Sequence, residues 1–281
     1  MPFTLSAFAD EIDEMLDIQI EGIKRHGIDY IEARGIDGKN VSDYTPEEMK
    51  TVKKRLDEKN VKVSAIGSPI GKIGITDDFE SHLEKFKNTL ELARILETKY
   101  IRLFSFYIPD GEEPKKYRDE VLKRMDTFVK TAEGSGIILL HENEKGIYGD
   151  NAERCFDILE SIGSDILRAT FDPANFIQCG ETTYPYAYEL LKDHIEYMHI
   201  KDAKESGEVM PAGDGKGHIK EILKNLKNRG YNGFLSLEPH LGNFSGLAEL
   251  EKNDTYKDLP KAGEKTFALA VNSLKNILKE I

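Results

Sequence analysis

Short apolar runs alternate with longer amphipathic stretches along the whole chain, and this alternation limits the possible folds more than any other feature. The runs are four to seven residues long and rich in Ile, Val, Leu, Phe and Tyr. They are Phe3–Phe8, Tyr30–Ala33, Val61–Ile66, Tyr100–Phe106, Ile137–His141, Ile166–Phe171, Ile195–Ile200 and Phe234–Glu238. Because both faces of these runs are apolar, we interpret them as strands covered on both sides, as in a parallel sheet.

The stretches between the runs predict helices. Thr45 is an expected N-cap, with Pro46 at the first helical position and Glu48 three residues after the cap. The other predicted helices are Glu11–His26, Asp78–Leu96, Pro114–Glu133, Asn151–Ile162, Tyr184–Asp193, Lys216–Arg229 and Gly263–Lys279. Eight strands in strict alternation with eight helices imply parallel strands joined by crossover helices.

Two architectures fit this pattern, an open doubly wound sheet and a closed (β/α)8 TIM barrel. The length of 281 residues matches eight βα units of a barrel. A dinucleotide-binding sheet would show a glycine-rich turn after its first strand, whereas here Ala9, Asp10 and Glu11 follow it. We therefore expect a single α/β barrel over residues 1–281. The long segments Ala203–Gly217 and Pro239–Lys261 are expected on its active-site face.

The composition narrows the choice of partner and compartment. With 39 basic and 51 acidic residues the formal net charge is −12, which argues against nucleic acid or an anionic membrane as the main partner. Neither a signal peptide nor a run of about 18 apolar residues is apparent. The two cysteines, Cys155 and Cys179, lack metal-site spacing and suit a reducing cytoplasm, which is the expected location.

Polar residues stand where the last four predicted strands end. Glu142, Asp172, His199 and Glu238 follow one another at intervals of about one βα unit, so four adjacent strands deliver them to one rim. A single acid after a strand is more often a helix N-cap than a ligand, but that reading does not explain four such groups in register. Three carboxylates held together would repel one another unless a cation lay among them. This donor set suits a divalent metal ion, with Mn²⁺ expected first and Mg²⁺, Co²⁺ or Zn²⁺ as alternatives.

Several motifs at these strand ends resemble a known family. They are Ile31-Glu32-Ala33-Arg34, His141-Glu142-Asn143, Phe171-Asp172-Pro173-Ala174-Asn175, Met198-His199-Ile200-Lys201-Asp202, Pro211-Ala212-Gly213-Asp214-Gly215 and Leu237-Glu238-Pro239-His240. The chain resembles the xylose isomerase-like barrel superfamily, in the sugar phosphate isomerase/epimerase branch with D-tagatose 3-epimerase-type enzymes. The resemblance implies that Glu142, Asp172, His199 and Glu238 are metal ligands and that Glu142 and Glu238 also move protons.

The sequence departs from relatives in two ways. Asn175 stands where the epimerase pattern has a histidine, which puts ketose epimerisation itself in question. The extra histidines of the trinuclear zinc nucleases are missing after the third and fourth predicted strands, so a nuclease site is not expected.

We therefore expect an isomerase or epimerase that removes the α-proton of a carbohydrate and passes through an enediolate, with Glu142 and Glu238 as base and acid. Two alternatives stay open: a lyase using the same site, and a non-catalytic sugar-binding or subunit protein. The substrate is expected to be a small carbohydrate, and the sequence does not decide whether the chain forms homo-oligomers. The candidate substrate-binding residues are Glu32, Arg34, Arg102, Asn175, Lys201, His218 and His240.

Overall fold

A computed structural model describes residues 2–244, 247 and 261–281. It contains eight parallel strands in one sheet: β1 (Thr4–Ala7), β2 (Tyr30–Ala33), β3 (Lys62–Gly67), β4 (Tyr100–Leu103), β5 (Ile138–Glu142), β6 (Leu167–Phe171), β7 (Ile195–Ile200) and β8 (Phe234–Leu237). Their order is β1-β8-β7-β6-β5-β4-β3-β2, and β1 also contacts β2. The sheet thus curls into a nearly closed barrel, and the predicted TIM-barrel fold is confirmed.

Helices surround the strands on the outside of the barrel. They are α1 (Leu16–Arg25), α2 (Pro46–Glu58), α3 (Glu80–Ile95), α4 (Arg118–Ala132), α5 (Ala152–Ile162), α6 (Pro173–Gln178), α7 (Tyr188–Leu191), α8 (Ile219–Asn228) and α9 (Glu264–Glu280). Thr45 forms the predicted capping box with Glu48 at the start of α2. On α8 the buried residues Ile219, Ile222, Leu223 and Leu226 recur at helical spacing, so one face packs inward.

Several helices differ from their predicted bounds, and the structure gives a reason for three of them. Helix α1 begins at Leu16 rather than Glu11, because Ala9–Glu11 form a short turn with buried side chains. Helix α8 begins at Ile219 rather than Lys216, because the loop before it is bonded to Asp202. The regular helix α7 covers only Tyr188–Leu191 of the predicted span, since Pro185 has no N–H to donate within a helix.

The inward-facing residues explain why the polar groups collect at one end of the barrel. Tyr100, Leu140 and Tyr197 pack together inside, along with Ala65. Two positions further along the same three strands stand Arg102, Glu142 and His199. Side chains alternate across a strand, so these polar residues also face inward, at the carboxyl ends.

The loop after β7 is ordered by one carboxylate, that of Asp202. It accepts hydrogen bonds from the backbone N–H groups of Ala203, Gly213, Gly215 and Gly217 at 2.8, 2.9, 3.1 and 2.8 Å. Most of the other predicted long segment, Pro239–Lys261, lies outside the described residues. Among the residues that the structure describes, no helix combines the length and apolarity needed to cross a membrane.

Candidate metal centre

Four buried side chains meet at the carboxyl end of the barrel. Glu142 ends β5, Asp172 follows β6 as the N-cap of α6, His199 lies in β7, and Glu238 follows β8. One ligand atom from each lies within 4.8 Å of those of the other three. The structure therefore brings together the four residues that the strand ends singled out.

The imidazole of His199 has the three carboxylates of the cluster on its Nδ1 side and the carboxylate of Glu32 on its Nε2 side. Its Nδ1 is 2.9 Å from Glu142 Oε1, 3.2 Å from Glu238 Oε2 and 3.9 Å from Asp172 Oδ2. Its Nε2 is 3.2 Å from both carboxylate oxygens of Glu32. A proton on Nε2 that points to Glu32 leaves the Nδ1 lone pair directed at the cluster, as a metal ligand requires. Glu32, a candidate for substrate binding, is therefore placed to orient His199.

The charged groups of the cluster shift one another's pKa values. Burial raises the pKa of Asp172 to about 7 against the opposing effect of Lys201, and the charges of Glu238 and Glu142 act in the same direction as burial. Burial also disfavours a charged Glu142, but His199 and Arg102 lower its pKa to about 2. Burial disfavours charged His199 as well, yet Glu142, Glu32 and Glu238 raise its pKa well above the usual range. Without a metal, an imidazolium thus supplies the positive charge that these carboxylates need.

The donor atoms fit a metal ion. Glu142 Oε2 and Asp172 Oδ2 are buried and accept no hydrogen bond from the described residues. Arg102 and Lys201 approach these two oxygens at 3.1 and 3.0 Å, as ion pairs only. Carboxylate oxygens with open lone pairs and one imidazole suit a divalent cation, so the cluster could hold a metal ion.

Arg34, a second candidate for substrate binding, is already paired with carboxylates of the protein. Its Nε and Nη2 pair with the two oxygens of Asp10 at 2.8 and 3.0 Å, and its Nη1 is 2.9 Å from Glu238 Oε1. The guanidinium carbon lies 4.3 and 4.9 Å from the centroids of the Phe8 and Phe244 rings. Arg34 is therefore a rigid support for Glu238.

Asp10 and Glu11 are site residues that the sequence reasoning missed. Glu11 Oε2 accepts the backbone N–H of His240 at 2.7 Å, and its Oε1 lies 3.4 Å from Arg34 Nη2. Burial raises the pKa of Glu11 to about 7, although His240 and Arg34 act in the opposite direction. The signal was present, because these two acids directly follow the first strand, at the same rim as the other groups.

The remaining candidates fall into two groups. Lys201 and Asn175 touch the cluster: Lys201 Nζ is 3.4 Å from Glu238 Oε2, and Asn175 Nδ2 donates to Glu142 Oε1 at 3.2 Å. The His240 ring lies 3.4 Å from Glu238 Oε1. His218 lies elsewhere, because its exposed ring pairs with Glu221 and contacts Tyr184 at the start of α8.

Two further polar residues at the strand ends have partners other than the four residues of the cluster. His141 points to the outside of β5, where its Nε2 is 2.9 Å from Ser105 Oγ, as the alternation along the strand predicted. Glu144 pairs with Lys72 at 3.0 Å. Neither is placed as a ligand.

A nearly closed parallel barrel with carboxylates and an imidazole gathered at its carboxyl end defines a TIM-barrel protein with a candidate metal centre. The family model described as xylose isomerase-like TIM barrel matches residues 20–262. The chain therefore belongs to the xylose isomerase-like TIM barrel family.

Similar proteins span several described activities. The uncharacterized protein MJ1311 of Methanocaldococcus jannaschii is 26% identical over 164 residues, which cover 56% of each chain, so this chain spans little more than half of that relative. The D-psicose 3-epimerase of Clostridium cellulolyticum H10 superposes with a TM-score of 0.74 at 14% identity, covering 99% of both chains. The probable 3-DHS dehydratase AsbF of Bacillus anthracis gives a TM-score of 0.69 at 17% identity, covering 95% of this chain and 99% of that one. At these identities the structures share the fold.

One further similar structure carries a metal. The IOLI protein, whose structure holds a zinc atom, has a TM-score of 0.74 at 17% identity and covers 99% of both chains. A member of this fold thus binds a divalent ion.

Proposed function

We propose that the protein is a divalent-metal-dependent enzyme that isomerises or epimerises a small carbohydrate, with Glu142 and Glu238 as its two proton carriers. One observation carries the proposal: two buried glutamates converge with Asp172 and His199 within 4.8 Å. Sugar epimerases among the similar folds support a carbohydrate substrate. The proposed ligands are Glu142, Asp172, His199 and Glu238, and Mn²⁺ is the first metal to test.

The strand order suits a transfer of a proton between two faces. Glu142 on β5 and Glu238 after β8 stand at the two ends of the arc β5-β6-β7-β8, with Asp172 and His199 on the strands between. A bound divalent ion would polarise a substrate carbonyl and acidify the neighbouring C–H. One glutamate then removes the α-proton, and the other delivers a proton. Delivery to the opposite face of the same carbon gives epimerisation, and delivery to the carbonyl carbon gives isomerisation.

The surrounding residues hold the two carboxylates in place. Asn175 and Arg102 contact Glu142, whereas Arg34 and Lys201 contact Glu238. Positioning of this kind matters, since a proton carrier must lie within hydrogen-bond reach of the carbon-bound proton it moves. The buried rim also limits access of bulk water to a carbanion-like species.

The test is deuterium incorporation from D₂O into a panel of ketoses and sugar phosphates with Mn²⁺-loaded protein. We expect incorporation at the carbon next to the carbonyl, together with its loss in Glu142→Gln and Glu238→Gln. Exposed Glu205→Gln is the matched control. Exchange that persists at wild-type rate in both site variants rules out their role as proton carriers. No exchange with any sugar, together with no tightly bound metal by elemental analysis, rules out the enzyme proposal and favours a non-catalytic sugar-binding protein.

A metal-dependent lyase is the second candidate, and Lys201 is the residue that favours it. Its buried ammonium lies 3.0 Å from Asp172 Oδ2 and 3.4 Å from Glu238 Oε2, where it could protonate a departing oxygen after α-proton removal. A dehydratase is also among the similar folds. Release of water or an alcohol with formation of a conjugated carbonyl, followed by its ultraviolet absorbance, distinguishes the lyase from the isomerase.

A further inference from the structure

We propose that Arg102 binds a carboxylate group carried by the substrate, so that the protein acts on an acidic carbohydrate rather than on a neutral sugar. This inference rests on the proposed function and specifies its substrate class.

Arg102 is a buried cation with open donors. The residue is 2% exposed, and the ion pair it forms within the described part of the chain joins Nη1 to Glu142 Oε2 at 3.1 Å. Its Nε is buried and has no hydrogen-bond partner among the described residues. A guanidinium keeps its charge and offers five N–H donors, so leaving the buried Nε–H without an acceptor is costly. A ligand that accepts hydrogen bonds would remove that cost.

The other cations of the site differ from Arg102, because none of their nitrogens is buried without a hydrogen-bond partner among the described residues. Arg34 pairs with Asp10 and Glu238. Lys201 lies within 3.4 Å of two carboxylates, and Lys72 pairs with Glu144 at 3.0 Å. In the part of the site that the structure describes, Arg102 is thus the cation best able to take an additional anion.

The surroundings of Arg102 suit a flat anion. Its guanidinium carbon lies 4.5 Å from the centroid of the Phe104 ring and 5.6 Å from that of Phe8. Two rings beside a planar guanidinium hold it in one orientation, and a planar carboxylate can pair with two of its parallel N–H groups. Because Nη1 is 3.1 Å from Glu142, a carboxylate bound there lies close to the carbon whose proton Glu142 would move.

A phosphate is a poorer match to the described site. TIM barrels commonly bind phosphate with backbone N–H groups of the loops after the seventh and eighth strands. Here the N–H groups of Gly213, Gly215 and Gly217 already donate to the carboxylate of Asp202. These N–H groups are therefore already bonded to a carboxylate of the protein and are not available to a phosphate.

The experiment compares matched ligands on the Mn²⁺-loaded protein by calorimetry. The pairs are D-tagaturonate with D-tagatose and D-fructuronate with D-fructose, and D-tagatose 6-phosphate is the phosphate probe. We expect at least one uronate to bind roughly tenfold to a hundredfold more tightly than its neutral partner. Arg102→Gln should remove that preference by weakening the binding of the uronate more than that of its neutral partner. Arg94→Gln, an exposed arginine on α3, is the control.

A second variant and the metal content keep the test decisive. Arg102→Lys keeps the charge but cannot pair bidentately, so most of the preference should be lost even if Arg102→Gln fails to fold. Equal binding of acid and neutral sugar in both pairs, tighter binding of the phosphate than of either uronate, or a preference that survives in Arg102→Lys overturns the inference. Deuterium exchange into neutral ketoses without any acid preference would leave the proposed function intact. Arg102-dependent uronate binding without deuterium exchange would support the inference about Arg102 and contradict the proposed function.

Discussion

At the level of single residues, the contact between Glu32 and His199 has a measurable consequence. Both oxygens of Glu32 lie 3.2 Å from His199 Nε2, on the side of the ring away from the cluster. A carboxylate in that position fixes the tautomer and raises the basicity of a ligating imidazole. We predict that Glu32→Gln weakens Mn²⁺ binding about tenfold to a hundredfold, measured by competition with a chelating dye. Glu205→Gln should bind as the wild type does, and an equal affinity of Glu32→Gln would contradict the orienting role.

The pair between Asp10 and Arg34 makes a second prediction at the residue level. Asp10 is 8% exposed and holds two nitrogens of Arg34. Asp10→Ala leaves Arg34 paired with Glu238 but takes the acceptor from its buried Nε–H, so it should lower the free energy of unfolding by about 3 kcal/mol. Urea titration measures this change. The matched control is Asp119→Ala, since Asp119 is 99% exposed and pairs with Arg118 at 3.6 Å, and it should match the wild type. Equal effects of the two variants would refute the argument from burial.

At the level of elements, Asp202 determines the conformation of the loop between β7 and α8. Its two oxygens accept four backbone N–H groups, three of them from glycines. We predict that Asp202→Ala speeds hydrogen exchange of the Gly213, Gly215 and Gly217 amides on the order of tenfold to a hundredfold, because their local opening no longer breaks charged hydrogen bonds. Mass spectrometry of peptides covering the loop measures the exchange. Asp214→Ala changes an exposed acid of the same loop, and identical exchange in both variants would show that Asp202 does not order it.

The helices and strands also show which structural features the sequence patterns predict and which they do not. The eight strands follow from apolar runs, and α2 follows from its capping box. Helix α6 had no apolar periodicity to reveal it, and it forms because Asp172 caps its first turn with Pro173 behind the cap. Helix α1 begins later than the periodicity predicts, because periodicity does not show that Glu11 is buried by partners such as His240, 229 residues away.

At the level of the whole molecule, stability should depend on pH through His82. Its Nε2 accepts the N–H of Gly71 at 2.7 Å, and burial, with Lys85 and Arg124 nearby, lowers its pKa to about 4. The unfolded chain binds this proton near pH 6.5, whereas the folded chain does not bind it until about pH 4. Between these values the unfolded state holds more protons, so this contribution to stability is present above pH 6.5 and is lost as the pH falls.

The comparison that isolates His82 uses His82→Gln. Between pH 6 and 5 the free energy of unfolding of the wild type should fall faster than that of the variant, by about 1.4 kcal/mol per pH unit. Urea titrations at several pH values give both slopes. His218→Gln removes an exposed histidine and should keep the wild-type slope. Parallel slopes for wild type and His82→Gln would exclude His82 as the source.

Sequence patterns also predict some features of the candidate site and not others. Glu142, Asp172, His199 and Glu238 could be singled out because each ends a strand, and all parallel strands of a barrel end at one rim. That rule does not show which charged side chains contact one another within the site. Arg34 and Arg102 both occupy strand ends. The guanidinium of Arg34 is paired with Asp10 and Glu238, whereas the buried Nε of Arg102 has no partner in the part of the chain that the structure describes.

The sequence by itself determined the barrel, the rim on which the polar groups gather and the four residues of the candidate metal centre. These depend on periodicity and strand order, which are local properties repeated along the chain. Only the tertiary structure decided that Glu32 lies behind His199, that Asp10 and Glu11 belong to the site, and that His218 does not. The reason is physical, because the partner of a buried charge is set by which strands and loops meet across the barrel, at separations that no local pattern encodes.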